Sequence, residues 1–429
     1  MGLSQRIIFF TVVFSVLFLL QLVVYKTFRK YLLRKNLDLK AVNYLSRAPF
    51  LFFNLPFIIQ ILKSFDLFMP PEWMDLVIIK PFFVFQAATF FIGLFLIAGM
   101  IIKLPFVIGD FFLKRINFIK GKYQSFKSKK KVVKFDESRR KFITASTTIV
   151  SGYAFIGAGV GTIQKDKYTI EEQTIKIPGL PSEQKGTTAV LVSDIHSGPY
   201  MDFEQMKEYV DVINDMKPDM ILIPGDLTNS QRNEAAPFAK AFRDLKAKHG
   251  VYATFGNHDY FNDVEYINDV VKNETSIRML RNEALLLDIN GKPFSLMGTE
   301  DTRDSGGRSN PVVAKYITQT VNLANEQFKQ NNINSEFVPK ILLTHKPYLF
   351  DDVNDLNFNL MLSGHTDGGQ VVFFKFGDLN LSFASAAHKY INGMYENNGK
   401  YLYVSRGIGT VGLPIRFNCP PEITKFTFV

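Results

Sequence analysis

The amino-acid sequence predicts an α/β domain of about 240 residues preceded by an α-helical transmembrane region. Three observations carry this reading. Long uncharged apolar runs are confined to residues 1–163, short continuous apolar runs separated by helical stretches follow residue 185, and the charge divides at the same place. Residues 1–163 hold 23 Lys+Arg against 7 Asp+Glu, net +16, and residues 164–429 hold 27 against 33, net −6, so the overall +10 belongs to the first part alone. With no basic excess on the second part, nucleic acid is not expected as a partner. A chain of 429 residues that is 47% hydrophobic with 42 Phe argues against a disordered or fibrous protein. Cys419, the single cysteine, excludes an intramolecular disulfide and every cysteine-based metal cage.

The transmembrane region is expected to hold about four helices. Ile7 to Tyr25 and Pro81 to Ile102 are strong spans, long enough as helices to cross about 30 Å of hydrocarbon. Ala48 to Leu62 is apolar but only 15 residues long and contains Asn54 and Pro56, so it is read either as a span completed by its flanks or as a re-entrant segment. Phe142 to Ile163 is uncharged and rich in small residues, as suits a last span packed against neighbours. The intervening loops, 26–47 and 103–141, are basic, the second with 13 Lys+Arg against 3 Asp+Glu. By the positive-inside rule they stay cytoplasmic, which places both the amino terminus and everything after residue 164 outside a bacterial cytoplasmic membrane. Ser138-Arg139-Arg140-Lys141-Phe142-Ile143 reads either as a twin-arginine export signal or as a basic flank, with the same orientation in both cases. The strong spans carry no charged residue, which disfavours a transporter.

Residues 164–185 read as a linker, and residues 186–429 as one domain. Its expected strands are Ala189 to Val192, Met220 to Ile223, Val251 to Phe255, Phe294 to Met297, Lys340 to Leu343 and Leu360 to Leu362, continuous apolar runs suited to strands buried on both faces. Phe203 to Met216 and Pro237 to Lys248 are expected helices between them.

Immediately after these strands come Asp194 and His196, Gly225-Asp226, Gly256-Asn257-His258-Asp259, Thr344-His345, and Gly364-His365-Thr366-Asp367. Loops at the carboxyl ends of strands are where open α/β folds place ligands. Four of the six histidines lie in them, and His249 and His388 do not. A lone histidine is usually structural; four at successive strand ends beside Asp and Asn point instead to a two-metal hydrolytic site, with Asp226 as the natural bridging carboxylate. The donor set of carboxylate, amide and imidazole favours Mn, Fe, Mg or Zn. No Ser or Cys nucleophile motif is nearby, which leaves water activated by the metals as the attacking group.

These blocks resemble those of the calcineurin-like metallophosphoesterase superfamily, which read D-x-H, G-D, G-N-H-[DE], H and G-H-x-H in the same order. The ending Gly407-Ile408-Gly409, Pro414-Ile415-Arg416 and Cys419-Pro420-Pro421-Glu422-Ile423 resembles its membrane-associated bacterial branch, the YkuE and YaeI-like proteins. The resemblance implies a four-layer αββα sandwich and two divalent metal ions. It implies one metal on Asp194, His196, Asp226 and the position of Asp367, and a second on Asp226, Asn257, His345 and His365. It further implies that His258 protonates the leaving oxygen, with Asp259 as its orienting partner. Asp367 departs from the family, which has an imidazole there. An oxygen ligand is expected to coordinate still, to shift preference toward Mn, Mg or Fe, and to oppose acidification of bound water.

The function so implied is that of a membrane-anchored phosphoesterase, or phosphodiesterase, hydrolysing a phosphate ester that is lipid-linked or belongs to the envelope, with the lipid bilayer as its other partner. A UDP-2,3-diacylglucosamine-type pyrophosphohydrolase is the runner-up, in conflict with the topology because that substrate is cytoplasmic. A catalytically weak metal-binding sensor is the reading from another class. Arg303 and Arg308 are weaker candidates for binding phosphate.

Overall fold

A computed structural model describes residues 3–64, 68, 71–115, 117–261, 263–302, 310–376 and 379–429. The chain divides into two compact units, residues 2–162 and 163–429.

The first unit is helical: α1 (Leu3–Leu33), α2 (Leu39–Phe52), α3 (Pro56–Ser64), α4 (Glu72–Met74), α5 (Lys80–Leu113) and α6 (Asn117–Ser128), with α7 (Lys130–Gln164) running into the second unit. Four stretches are long and apolar enough to cross a membrane: Thr11–Leu33, Leu39–Leu62, Asp75–Leu113 and Val132–Gln164. Leu39–Leu62 extends the short run read from the sequence. Helix α2 starts at Leu39 behind the cap Asp38, which accepts from Lys40 N, so the segment reaches 24 residues with a break in the middle. At that break Phe57 N turns back to Asn54 O, and Gln86 Nε2 donates instead to the freed Phe53 carbonyl at 3.1 Å. Asn54 Nδ2 donates to Gln21 Oε1 at 2.7 Å and Gln21 Nε2 to Gln86 Oε1 at 2.6 Å, so three amides satisfy one another and the broken backbone.

The second unit is mixed α/β. Its strands are β1 (Thr169–Ile175), β2 (Thr188–Leu191), β3 (Met220–Ile223), β4 (Val251–Ala253), β5 (Ile277–Met279), β6 (Glu283–Ile289), β7 (Lys292–Thr299), β8 (Lys340–Thr344), β9 (Leu360–Ser363), β10 (Val372–Phe376), β11 (Leu379–Ser382), β12 (Gly393–Asn397), β13 (Lys400–Val404) and β14 (Glu422–Phe428). Its helices are α8 (Phe203–Asp215), α9 (Ala235–Phe242), α10 (Val264–Glu274), α11 (Pro311–Gln330) and α12 (Phe383–Ala387). One six-stranded sheet has the order β1-β14-β2-β3-β4-β5, the other β12-β13-β9-β8-β7-β6. Each holds a parallel run: β2 to β5, joined on one side by the antiparallel β14, and β7-β8-β9-β13, flanked on both sides by the antiparallel β6 and β12.

Three apolar clusters define the layers. Leu191, Leu222, Leu343, Leu362 and Phe426 pack between the sheets; Val190, Ile221 and Ile223 pack on the other face of the first sheet with α8, α9 and α10; Met297, Leu342 and Met361 pack on the other face of the second with α11. The alternation within β2 and β8, whose successive residues go to opposite faces, explains why these strands read as unbroken apolar runs. The result is the expected αββα order of layers.

The linker reading of 164–185 is corrected. Thr169–Ile175 is strand β1, paired in parallel with β14 from Thr169↔Glu422 to Ile175↔Phe428. It is an edge strand with one face open to water, so Thr-Ile-Glu-Glu-Gln-Thr-Ile lacks the apolar continuity that marks a buried strand. Arg303 and Arg308 lie outside the described residues.

Candidate metal centre

The parallel strands of the two sheets deliver the site residues from their carboxyl ends: Asp194 and His196 after β2, Asp226 after β3, Asn257 and His258 after β4, His345 after β8, and His365 and Asp367 after β9. The turns are tight. Asp194, His196, Asp226, His365 and Asp367 all have positive φ, from 48° to 74°, a conformation that costs a non-glycine residue of the order of 1 kcal/mol and persists only where the surroundings enforce it. Backbone bonds do so: Asp194 N donates to Gly225 O at 3.2 Å and His196 N to Asp226 O at 3.1 Å. Two glycines let the carboxylates in, since a Cβ at Gly256 would overlap Asp226 Oδ1 and one at Gly364 would overlap Asp194 Oδ2.

Three groups of donor atoms converge, each within 4.8 Å: Asp194, His196 and Asp367; His196, Asp226 and His258; Asp226, His345 and His365. Asp226 belongs to two of them. Its Oδ2 lies 3.2 Å from His345 Nε2 and 3.6 Å from His196 Nε2, while its Oδ1 accepts from His258 N at 2.9 Å. His365 N in turn donates to Asp194 Oδ1 at 2.8 Å. His345 Nδ1 donates to the Pro224 carbonyl at 2.8 Å, which turns Nε2 toward the centre.

The residues fit divalent metal. Asp194 Oδ2, His196 Nδ1 and Asn257 Oδ1 are buried with no hydrogen bond, an arrangement that costs of the order of 1–3 kcal/mol per atom unless a ligand satisfies it. The electrostatics agree. Burial, with the neighbouring Asp226 charge, pushes the Asp194 carboxyl up. Burial, with the charge of Asp194, raises Asp367 despite Arg416. Burial and the neighbouring His258 press His196 down to about 3. Burial also opposes the His345 imidazolium, but Asp226 and Asp194 outweigh it and hold that group at about 10. Crowded carboxylates holding a proton among them are the state that bound cations relieve.

Two expectations change. Asp259 does not orient His258: its carboxylate accepts from Leu227 N at 3.3 Å, Gly256 N at 3.0 Å, Thr228 N at 3.0 Å and Thr228 Oγ1 at 3.1 Å, which ties the β3 and β4 loops together and leaves nothing for the imidazole. His258 Nδ1 donates instead to the Asn229 carbonyl. A backbone acceptor has no sequence signature, and the adjacent carboxylate drew the assignment.

The second change concerns Asp367. Arg416, fully buried, sends Nη2 to Asp367 Oδ1 at 3.3 Å, to Arg406 O at 2.8 Å and to Gly409 O at 2.6 Å, with Nε to Gly409 O at 2.8 Å. The extra anion therefore has a cation behind it, which lessens the opposition to water ionisation expected from Asp367 alone. Only the Pro414-Ile415-Arg416 resemblance hinted at this residue. Sequence reasoning also passed over His388, which stacks on Tyr348 at 4.1 Å, Tyr348 lying edge-on to His365 at 5.3 Å. Lys346 is buried against Asp301 at 3.0 Å, directly after His345.

Residues 187–368 match the calcineurin-like phosphoesterase family. That segment is a calcineurin-like phosphoesterase domain. It is thereby a hydrolase of the metallophosphoesterase type, with candidate ligands for divalent metal. The uncharacterized metallophosphoesterase YkuE of Bacillus subtilis is 29% identical over 299 residues, 68% of this chain and 97% of YkuE. An uncharacterized metallophosphoesterase of Helicobacter pylori strain J99 is 27% identical over 59% of this chain, and a transmembrane protein with a metallophosphoesterase domain from Danio rerio is 29% identical over 65% of it. The chain spans 62% and 60% of the lengths of those two proteins. The solved NAD nucleotidase of Haemophilus influenzae aligns over 52% of this chain and 45% of its own at 13% identity, with a TM-score of 0.34.

Proposed function

We propose that this protein is a membrane-anchored, dinuclear-metal phosphoesterase that hydrolyses a lipid-linked or envelope phosphate ester outside the cytoplasm, with manganese as the favoured metal. The observation that carries the reading is the convergence of three overlapping donor groups, two of which share Asp226, with three buried donor atoms left unpaired. Asp194, His196, Asp226 and Asp367 would hold one cation, and Asp226, Asn257, His345 and His365 the other. Bound there, the cations would supply Lewis acidity toward phosphate oxygens and a water of lowered pKa. Asp226 keeps the two positions at a common carboxylate. With its Nδ1 engaged by Asn229, His258 has Nε2 left to deliver a proton to the leaving oxygen, and its half-buried ring can reach substrate. The preference for manganese follows from the oxygen-rich donor set that Asp367 completes.

Full-length protein stripped with EDTA is expected to lose turnover of an aryl phosphate ester and to regain it with Mn²⁺, by about 10²-fold or more. Metal binding at full occupancy without hydrolysis of either a monoester or a diester would favour the sensor reading.

The proposed orientation rests on the basic stretches 26–47 and 103–141, which cover the facing ends of the apolar helices and the segments that join them. A carboxy-terminal alkaline phosphatase fusion is expected to be active, and a fluorescent-protein fusion at the same place dark. The reverse pattern would put the site in the cytoplasm, within reach of a UDP-diacylglucosamine type of substrate.

A further inference from the structure

We propose that the β10–β11 hairpin, with the start of α12, is a lipid-contact surface that seats the metal centre on the bilayer. This rests on reading the apolar helices as membrane spans, and is independent of which ester is cleaved or on which side.

The hairpin belongs to neither six-stranded sheet. Phe374 and Leu381 face each other across it, exposed by 53% and 54%, and Phe383 follows at 53%, held to the hairpin by a ring contact with Phe373 at 5.4 Å. Scattered exposed apolar residues are ordinary on soluble proteins. These are not scattered: among the described residues from 165 onward eight large apolar side chains are exposed, and three fall within ten residues on this one ribbon. An isolated two-stranded ribbon is marginal in water, and an apolar face on it marks a surface that something covers.

The chain itself points to lipid as the cover. Helix α7, the last stretch long and apolar enough to cross a membrane, ends at Gln164. Gln164 Oε1 accepts from Asn418 N at 3.3 Å, and Asn418 Nδ2 donates to Val372 O, the first residue of β10, at 3.0 Å. Val372 N donates to Phe417 O at 2.9 Å. The root of the hairpin is thus two hydrogen bonds from the residue at which the chain leaves its last apolar helix. A five-residue strand reaches only about 17 Å from there. Exposed Lys375, beside Phe374 in β10, suits anionic headgroups. A surface tethered this close needs little intrinsic affinity, because the anchor keeps lipid at high effective concentration.

The hairpin is also coupled to the site. β10 starts shortly after Asp367, and Asn380 Nδ2 in β11 donates to Gly368 O at 3.4 Å. Seating the ribbon in the headgroup layer would hold the ligand loop at a set height above the acyl chains, which suits a phosphate ester carried by a lipid.

The test uses the full chain in phosphatidylglycerol–phosphatidylethanolamine nanodiscs, with an environment-sensitive dye on F374C or L381C. Cys419 is buried, so unmodified protein gives the labelling background. F18C on α1 is the inserted reference and F337C the exposed reference; both native side chains are at least half exposed. We expect labels at 374 and 381 to be blue-shifted and quenched by headgroup-proximal doxyl lipids at least about threefold more than the label at 337. Emission at 374 and 381 like that at 337, with the label at 18 quenched, overturns the proposal. So does shielding from aqueous iodide with no doxyl quenching, which would mean a protein cover. A label at 18 that stays water-like overturns the anchoring on which the proposal rests.

Discussion

Asp226→Asn is expected to lower turnover of an aryl phosphate ester by about 10²-fold or more and to reduce bound manganese. The substitution conserves shape and removes the one charge shared by two donor groups. Asp226 Oδ1 accepts from His258 N, and Oδ2 faces His345 and His196. An asparagine can keep its oxygen toward His258 only by turning an NH₂ toward the two imidazoles, where it cannot coordinate. Turning the other way sets NH₂ against the His258 N–H and strips a hydrogen bond that fixes the β4 loop. Turnover together with metal content by plasma mass spectrometry checks this, with far-ultraviolet circular dichroism to show the fold intact. Wild-type turnover and full metal content in the variant would remove Asp226 from its bridging place.

The second large effect is structural. Arg416→Met is expected to destabilise the α/β unit by roughly 3–5 kcal/mol, because a fully buried cation leaves behind an uncompensated Asp367 carboxylate and unpaired carbonyls at Gly409 and Arg406. For a domain of this size the thermal midpoint should fall by about 6–20 °C. Arg416→Lys should recover only part of that loss, since an ammonium cannot serve a carboxylate and two carbonyls from one plane. Pairing Arg416→Met with Asp367→Asn should be less destabilising than the sum of the two single changes by about 1–3 kcal/mol, the mark of a direct interaction between them. Strict additivity would mean that Arg416 serves the carbonyls alone. Manganese affinity across the same four proteins separates the two roles: if Arg416 positions Asp367 as a ligand, Arg416→Met weakens metal binding even where the protein remains folded.

These two residues illustrate what was legible beforehand and what was not. Asp226 could be found because it follows an apolar run, sits behind Gly225 and falls among other strand-end blocks in a set order. Arg416 lies in a tail without strand or helix of its own, and its importance depends on burial and on a partner 49 positions away. Strands β2, β3, β4, β7, β8 and β9 were legible because both their faces are covered by apolar layers. β1, β5, β6 and β10 to β12 were not, since edge strands and hairpins mix polar with apolar residues, and the interior strands β13 and β14 were not because Lys400, Glu422, Thr424 and Lys425 interrupt their apolar residues. The second apolar segment was underestimated for a related reason: polar Lys40, Asn43 and Arg47 conceal a helix that begins at Leu39.

What the sequence determined by itself is the division of the chain, its α/β class and the donor types gathered at the strand ends. All three follow from local patterns, namely apolar run length, charge density and the residues that close each strand. The tertiary structure alone decided which donors share a carboxylate, that Asn229 rather than Asp259 orients His258, that a buried arginine stands behind Asp367, and that an apolar hairpin lies beside the chain's exit from its last apolar helix. Those depend on backbone atoms and on residues brought together across long stretches of chain, and neither leaves a mark in the order of side chains.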